Sequence, residues 1–244
     1  MIGVLTANFS LYHDLIEVLR RRTLPFVSLT FHDEIPPNVD VVITTAKERH
    51  QVMFDNVVTW REGCRAETIV DKALMVAEGK EYNILFGVDP GDTIGIAIYG
   101  NKKLLRRFVV QSPEMAVDFI KTYVREMDAR QVTVRVGNGA RLVRNRMINA
   151  LAEEPFTIEM VDEADLPGVD DDAVAASMIA MEQGVEITTS LSLEPKEGEI
   201  REVQRLSRIK NGNITISKAL ARKVLRGDIT LDEALQLQQE KNHG

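Results

Sequence analysis

The sequence predicts an α/β protein: a mixed sheet with flanking helices, preceded by a smaller α/β unit and followed by a basic helical tail. Three observations carry this. Apolar runs of strand length alternate with helical periodicity from the N-terminus to Lys80. Three strand-like runs then follow one another across short turns, from "ILFGV" to "LLRRFVVQ". Helices and strands alternate again after them, giving the order β-β-β-α-β-α-β-α: three strands in hairpin order, then strands added by crossovers.

Taken in order, "IGVLT" is a short apolar run containing β-branched residues, and "LYHDLIEVLRRR" places Leu11, Leu15, Ile16, Val18 and Leu19 near helical spacing. "FVSLT" and "VDVVITT" read as strands, the second almost wholly apolar and therefore buried on both faces. Pro36-Pro37 makes the intervening "FHDEIPPN" a loop. "RAETIVDKALMVAEGK" is a helix with Ile69, Val70, Ala73, Leu74 and Ala77 on one face and Gly79 at its C-terminal end. The strands "ILFGV", "GIAIY" and "LLRRFVVQ" form a meander. A helix over "SPEMAVDFIKTYVREM" follows, with Ser112 as N-cap and Pro113 at its first position. Then come the strand "QVTVRVG", the helix "RLVRNRMINALAEE", the strand "FTIEMVDE" and the helix "DDAVAASMIAMEQG". Beyond the polar connector "SLEPKEGE", "REVQRLSRIKNGN" and "TISKALARKVLRGDITLDEAL" are helical, the latter broken at Gly227-Asp228. The expected domains are 1–80, 81–189 and 190–244.

The 244 residues are 44% hydrophobic, an ordinary globular composition, with only 5% aromatic, so the core must be aliphatic. The net charge of -7 argues against a general polyanion binder, but it is uneven. Residues 201–244 carry about +4 and the rest about -11, an acidic body suited to cations with a tail suited to phosphates. Cys64 stands alone, which excludes an intramolecular disulfide and a multi-cysteine zinc site. No targeting segment or membrane-length apolar run is present, so a cytoplasmic, non-membrane protein is expected.

Two acidic constellations bear on function. In "FGVDPGDTIGIAIYG", Asp89 emerges from an apolar strand, and Gly91 and Gly95 leave backbone uncovered beside it. Asp-Pro-Gly alone is a common turn. In "GVDDDAVAASMIA", Asp170, Asp171 and Asp172 open a helix. One acid suffices as a cap; three adjacent carboxylates repel unless a cation offsets them. Ala173, Ala175 and Ala176 keep this helix thin, so it can lie close to the sheet and bring Asp172 toward Asp89.

Together, "GVDPGDTIGIAIYG" and the D-x-x-A-A-x-x-I pattern of "DDAVAASMIA" resemble the RuvC/YqgF-like branch of the RNase H-like superfamily, across roughly Tyr82 to Gly184. The run "VRVGNGARLVRNRMINAL" further resembles uncharacterised archaeal RuvC-like proteins. The resemblance implies a five-stranded mixed sheet and a two-metal nuclease, similar to Holliday-junction resolvases, cutting structured or branched DNA or RNA with Mg2+ or Mn2+. Asp89 matches its first-strand ligand and Asp172 its last-helix ligand; Asp171 as a catalytic residue or Asp170 as a metal ligand could supply a further oxygen. Two departures stand out. Val169 occupies the place of an aspartate three before Asp172, and the fourth strand ends at Asn138 where such nucleases carry a glutamate. Asp92, Glu159 and Asp162 are the candidates to compensate.

Nucleic acid is expected on Asn138, Arg141, Arg144 and Arg146 after the glycine turn, and on the tail stripes formed by Arg201, Arg205 and Arg208 and by Arg222 and Arg226. Solvated helix faces, packing on the acidic body and a homodimer contact are the alternatives. His13, His32, His50 and His243 show no metal spacing. Two other functions stay open: a non-catalytic nucleic-acid binder on the same scaffold, favoured by Asn138, and nucleotide binding as in the related sugar-kinase and actin-like ATPases.

Overall fold

A computed structural model describes residues 1–79, 83–164, 166–212 and 214–243, with the side chains of 242 and 243 left aside. The expected boundary between Lys80 and Glu81, and His243 as a side chain, lie outside the described residues.

The N-terminal unit contains β1 (Ile2–Leu5), α1 (Phe9–Arg21), β2 (Phe26–Leu29), β3 (Val41–Thr45), β4 (Val57–Trp60) and α2 (Ala66–Ala77). The strands are parallel in the order β2-β1-β3-β4. β3 is buried along its whole length, as its unbroken apolar run requires. Asn8 caps α1 by accepting from the Leu11 N–H, and Leu11, Leu15, Ile16, Val18 and Leu19 form its buried stripe. That stripe and α2 cover one sheet face. Val39, Val42 and Val52, with Phe31, Ile35 and Phe54 from loops, cover the other. β4 is not among the expected strands: "VVTW" is only four residues long, although Asp55-Asn56 and Gly63 bracket it.

The central sheet runs β10-β9-β8-β5-β6-β7. β5 (Asn83–Pro90) lies in the middle. It pairs antiparallel with β6 (Ile94–Gly100), which pairs antiparallel with β7 (Lys103–Val110). On its other side β5 is parallel to β8 (Gln131–Gly137), and β8 to β9 (Thr157–Val161). A sixth strand, β10 (Val185–Glu186), corrects the expectation of five: two residues after α5 turn back antiparallel onto the β9 edge. The helices α3 (Pro113–Met127) and α4 (Arg141–Leu151) cover one face around Phe86, Ile96, Ile120 and Tyr123. Ser112 caps α3 through the Met115 N–H, as its sequence predicts.

The helix α5 (Asp172–Met181) lies on the other face, pressed against β5 and β6. The approach is so close that only glycine fits beneath it. A Cβ on Gly87 would fall 2.0 Å from the Ala176 carbonyl oxygen, and one on Gly95 1.9 Å from that of Asp172. The alanines of α5 and these strand glycines are thus two halves of one contact.

Two seams join the parts. Between the sheets, the fully buried Asp71 of α2 is held at 2.7 Å by Arg22, at 2.7 Å by Arg106 of β7, and at 3.1 Å by the Tyr123 hydroxyl. Arg106 is an ion-pair partner without an aligned hydrogen bond, its plane lying instead against the Phe108, Phe119 and Tyr123 rings. Burial and the Asp71 charge push the Tyr123 phenol well above its usual range. Removing one partner of such a knot strands a buried charge, at a cost of about 3–5 kcal/mol.

The C-terminal helices α6 (Glu197–Lys210), α7 (Lys218–Arg226) and α8 (Leu231–His243) close around Ile200, Ile216, Leu220 and Leu235. The chain break predicted at Gly227 is a left-handed cap with φ 79°. The bundle is strapped to α4: Asn149 exchanges two hydrogen bonds with the Leu191 backbone, and Asn145 donates to the Ser192 carbonyl.

Candidate functional site

The C-terminal ends of β5, β8 and β9 converge on one edge of the central sheet, and the first turn of α5 meets them there. Asp89 pairs with Gly95 in the β5–β6 register, and the Asp172 backbone sits directly on Gly95. The close contact of α5 therefore sets Asp172 one strand away from Asp89. The Thr93 hydroxyl, in the turn between β5 and β6, hydrogen-bonds to the Asp172 carboxylate.

A third carboxylate, Glu163, completes this edge, and the sequence reading missed it. Two residues past the end of β9, its chain turns back across β8. Its Oε1 accepts from the Gly139 N–H at 3.0 Å. A Cβ on Gly137 would lie 2.4 Å from that same oxygen. The Glu163 carboxylate thus occupies the notch that Gly137 leaves at the end of the fourth strand of the sheet. Of the candidates named to compensate there, Asp162 accepts from Asn138 at 2.7 Å, Glu159 is paired with Arg135 at 2.7 Å, and Asp92 is exposed.

Burial, then the charges of Glu163 and Asp172, push the Asp89 carboxyl up to about 6. No donor among the described residues reaches its carboxylate, so nothing offsets those effects. A pocket of about 170 Å3 opens beside it, lined by Asp89, Glu163, Leu166, Pro167, Val169 and Met178. That is room for ions and waters, and below the roughly 300 Å3 at which small-molecule sites begin.

The other acidic candidates part company here. Asp171 is the N-cap of α5, its Oδ1 accepting from Ala173 N at 2.9 Å and Val174 N at 3.1 Å. That bonding gives it a structural role in place of the expected catalytic one. Asp170 is exposed, with no hydrogen bond among the described residues to aim it at Asp89. Among the described residues, no three His, Cys, Asp or Glu side chains lie close enough to ligate one ion as they stand.

The basic candidates are largely spoken for. Arg141 clamps Glu199 bidentately at 2.7 and 2.8 Å and donates to the Glu194 carbonyl at 2.8 Å. The hydrogen bonds to Glu199 push the Arg141 guanidinium further up. Arg146 caps the C-terminus of α7 by donating to the Arg226 carbonyl at 3.0 Å. Both hold the C-terminal bundle, contrary to the expectation of phosphate contacts. Arg205 is paired with Glu202 and Arg222 with Glu197, on the surface. Arg208 is exposed, with no ion-pair partner among the described residues. Asn138 gives its side chain to Asp162 and its carbonyl to Arg144 at 2.6 Å. Arg144 is the one candidate arginine close to the carboxylates. Burial, then the Arg141 charge, lower its guanidinium, while the Glu163 charge acts the other way.

Residues 1–77 match a family model described as a response regulator receiver-like domain, and residues 196–240 one described as a three helical bundle domain. Neither reaches the central sheet. Among solved structures, Marinitoga piezophila Argonaute with a 5' OH guide RNA is similar at 13% identity and a TM-score of 0.27, over 96% of this chain and 54% of that one. The same protein with guide RNA and target DNA gives 11% identity and 0.25, over 96% and 53%. This chain thus spans about half the length of those it matches. No curated protein matches. No helix among the described residues is long and apolar enough to cross a membrane.

Proposed function

We propose that the chain is a Mg2+- or Mn2+-dependent nuclease on an RNase H-like sheet, cutting phosphodiesters in structured or branched DNA or RNA. The carrying observation is the edge formed by Asp89, Glu163 and Asp172, with Asp89 held near 6 by burial and then by its two neighbours. The strand order, with β5 central, an antiparallel meander on one side and parallel crossovers on the other, supports the RNase H-like reading. Glu163, from the loop after β9, would supply the acid that β8 lacks at Asn138.

The donor set fits the ion. Carboxylate oxygens are the ligands that Mg2+ and Mn2+ prefer, and a cation would relieve the mutual repulsion that, after burial, raises Asp89. When bound, it would supply Lewis-acid polarisation of a phosphate oxygen and an acidified water. Asp89, Glu163 and Asp172 would hold it, Thr93 and the Gly139 N–H positioning the last two. Arg144, the candidate arginine whose charge reaches Glu163, would meet the scissile phosphate. The pocket is too small for a nucleotide, so the strand would lie across the edge with one phosphate entering.

A second reading, a non-catalytic nucleic-acid binder on this scaffold, is favoured by the absence of a closed three-ligand cluster among the described residues. Cleavage assays on branched and linear substrates with either ion separate the two. Metal-dependent cutting lost on Asp89→Asn and on Glu163→Gln supports the nuclease; salt-sensitive binding without cutting supports the binder.

A further inference from the structure

The N-terminal sheet carries a second crevice, built by other residues. Its order β2-β1-β3-β4 reverses between β1 and β3. Loops leaving a parallel sheet at such a reversal diverge and open a cleft at the C-terminal edge. Here the cleft is a cavity of about 400 Å3, bounded by Asn8 after β1, Lys47 and Glu48 after β3, and Trp60, Arg61 and Glu62 at the end of β4. That volume lies within the range of about 300–1,000 Å3 typical of small-molecule sites.

Its chemistry is specific. Trp60 is half-buried against the core of the N-terminal unit, and its Nε1 donates to the Cys64 carbonyl at 2.8 Å. The indole is therefore anchored at the cavity that it lines. Lys47 and Arg61 are exposed and have no ion-pair partner among the described residues, unlike Arg141, Lys218, Arg222 and Arg226 elsewhere. Burial, with the Arg61 charge adding to it against Asp128, holds the Lys72 ammonium below its usual range.

Glu48 stays ionised beside Lys47 and Arg61, but its oxygens are already taken by protein donors. Its Oε2 takes the Thr6 and Thr45 hydroxyls, both at 2.6 Å, and its Oε1 the Ala7 N–H at 2.7 Å. That carboxylate is spent on tying β1 to β3. Glu62 is exposed and remains an acceptor for ligand hydroxyl or amino groups.

We propose that this crevice binds a nucleotide, its planar ring on Trp60 and its phosphate between Lys47 and Arg61. A free mononucleotide and the 5′-phosphorylated end of a nucleic-acid strand both present that chemistry. Trp60 is the only tryptophan of the chain, so its fluorescence reports on this crevice alone.

The test titrates the full chain with AMP, GMP, UMP and CMP, with adenosine, and with a short oligonucleotide carrying a 5′-phosphate or a 5′-hydroxyl. Fluorescence and calorimetry are followed in parallel without added divalent ions, so that no cutting intervenes. The expected result is saturable quenching by at least one phosphorylated probe. It weakens about tenfold or more without the phosphate and by a similar factor in Lys47→Ala/Arg61→Ala. Quenching by mononucleotides assigns the free ligand, and quenching by the 5′-phosphorylated strand alone assigns the strand end. Heat of binding without quenching, quenching unchanged in the double variant, or no response to any probe would each overturn the site. The double variant removes only exposed side chains, and an unchanged thermal midpoint verifies its fold. None of these outcomes bears on Asp89, Glu163 or Asp172.

Discussion

Glu48 and Asp89 are carboxylates at the same kind of place, the C-terminal edge of a sheet beside a strand end, and they are treated oppositely. Glu48 is partly buried, which raises its pKa. The Thr45 and Thr6 hydroxyls and the Ala7 and Thr45 N–H groups outweigh that and hold it below the usual carboxylate range. Asp89 is also partly buried, has no donor among the described residues, and faces Glu163 and Asp172, so it rises to about 6. The first carboxylate is completed by its own chain. The second is left in deficit, and such a deficit is what the proposed ion would relieve.

The largest expected effect concerns activity. Asp89→Asn and Glu163→Gln should each lower metal-dependent cutting by about 100-fold or more, while Glu48→Gln leaves the rate within a few-fold. Equal losses from all three, measured on one branched substrate, would erase the distinction. Next comes the contact that creates the deficit. Gly95→Ala drives a Cβ into the Asp172 carbonyl and should cost about 1–3 kcal/mol or more in denaturant unfolding. It should also let Asp89 titrate lower, because Asp172 is moved away.

Removing the satisfied carboxylate should destabilise. Glu48→Ala gives up hydrogen bonds to a charged acceptor at a partly exposed site, so about 1–2 kcal/mol is expected at pH 7. Because its folded pKa is depressed, that contribution is present above about 4.5 and is lost as pH falls through the folded value. Removing the deficient one should do the reverse. The Asp89 pKa is raised, so its favourable contribution is full below about 3.8 and is lost as pH rises through about 6. Asp89→Asn should therefore stabilise by about 1 kcal/mol at pH 7, after allowance for solvent screening, and by nothing near pH 4. A destabilised Asp89→Asn at pH 7 would remove the electrostatic account.

Much of the frame was legible because it rests on local pattern. The unbroken apolar run of β3, the Ser112 cap, the hairpin around Asp89 and the alanines of α5 each reflect a rule that operates within a few residues. The alanines also foretold the close approach of Asp172, since a thin helix needs a bare sheet and Gly87 and Gly95 provide one. Glu163 was not legible. It lies past the end of β9, where strand alternation no longer says which way a side chain points, and Asp162 beside it was an equal candidate. The one signal was the bare backbone of Gly137 and Gly139, an empty notch that some side chain had to fill. The arginines misled for a related reason. Their spacing is a local fact, but their partners Glu194, Glu197 and Glu199 are brought to them by the packing of other elements. The two-residue β10 was too short to show a period; β4 is as short as β1 and β2, but lacks their extra flanking residue of strand type.

The most direct test follows the Asp89 carboxyl carbon by NMR across pH, with and without Mg2+. The account predicts a midpoint near 6 without the ion, falling when Mg2+ is added and falling also in Glu163→Gln. A midpoint at the ordinary aspartate value, unmoved by Mg2+ and by Glu163→Gln, would contradict it.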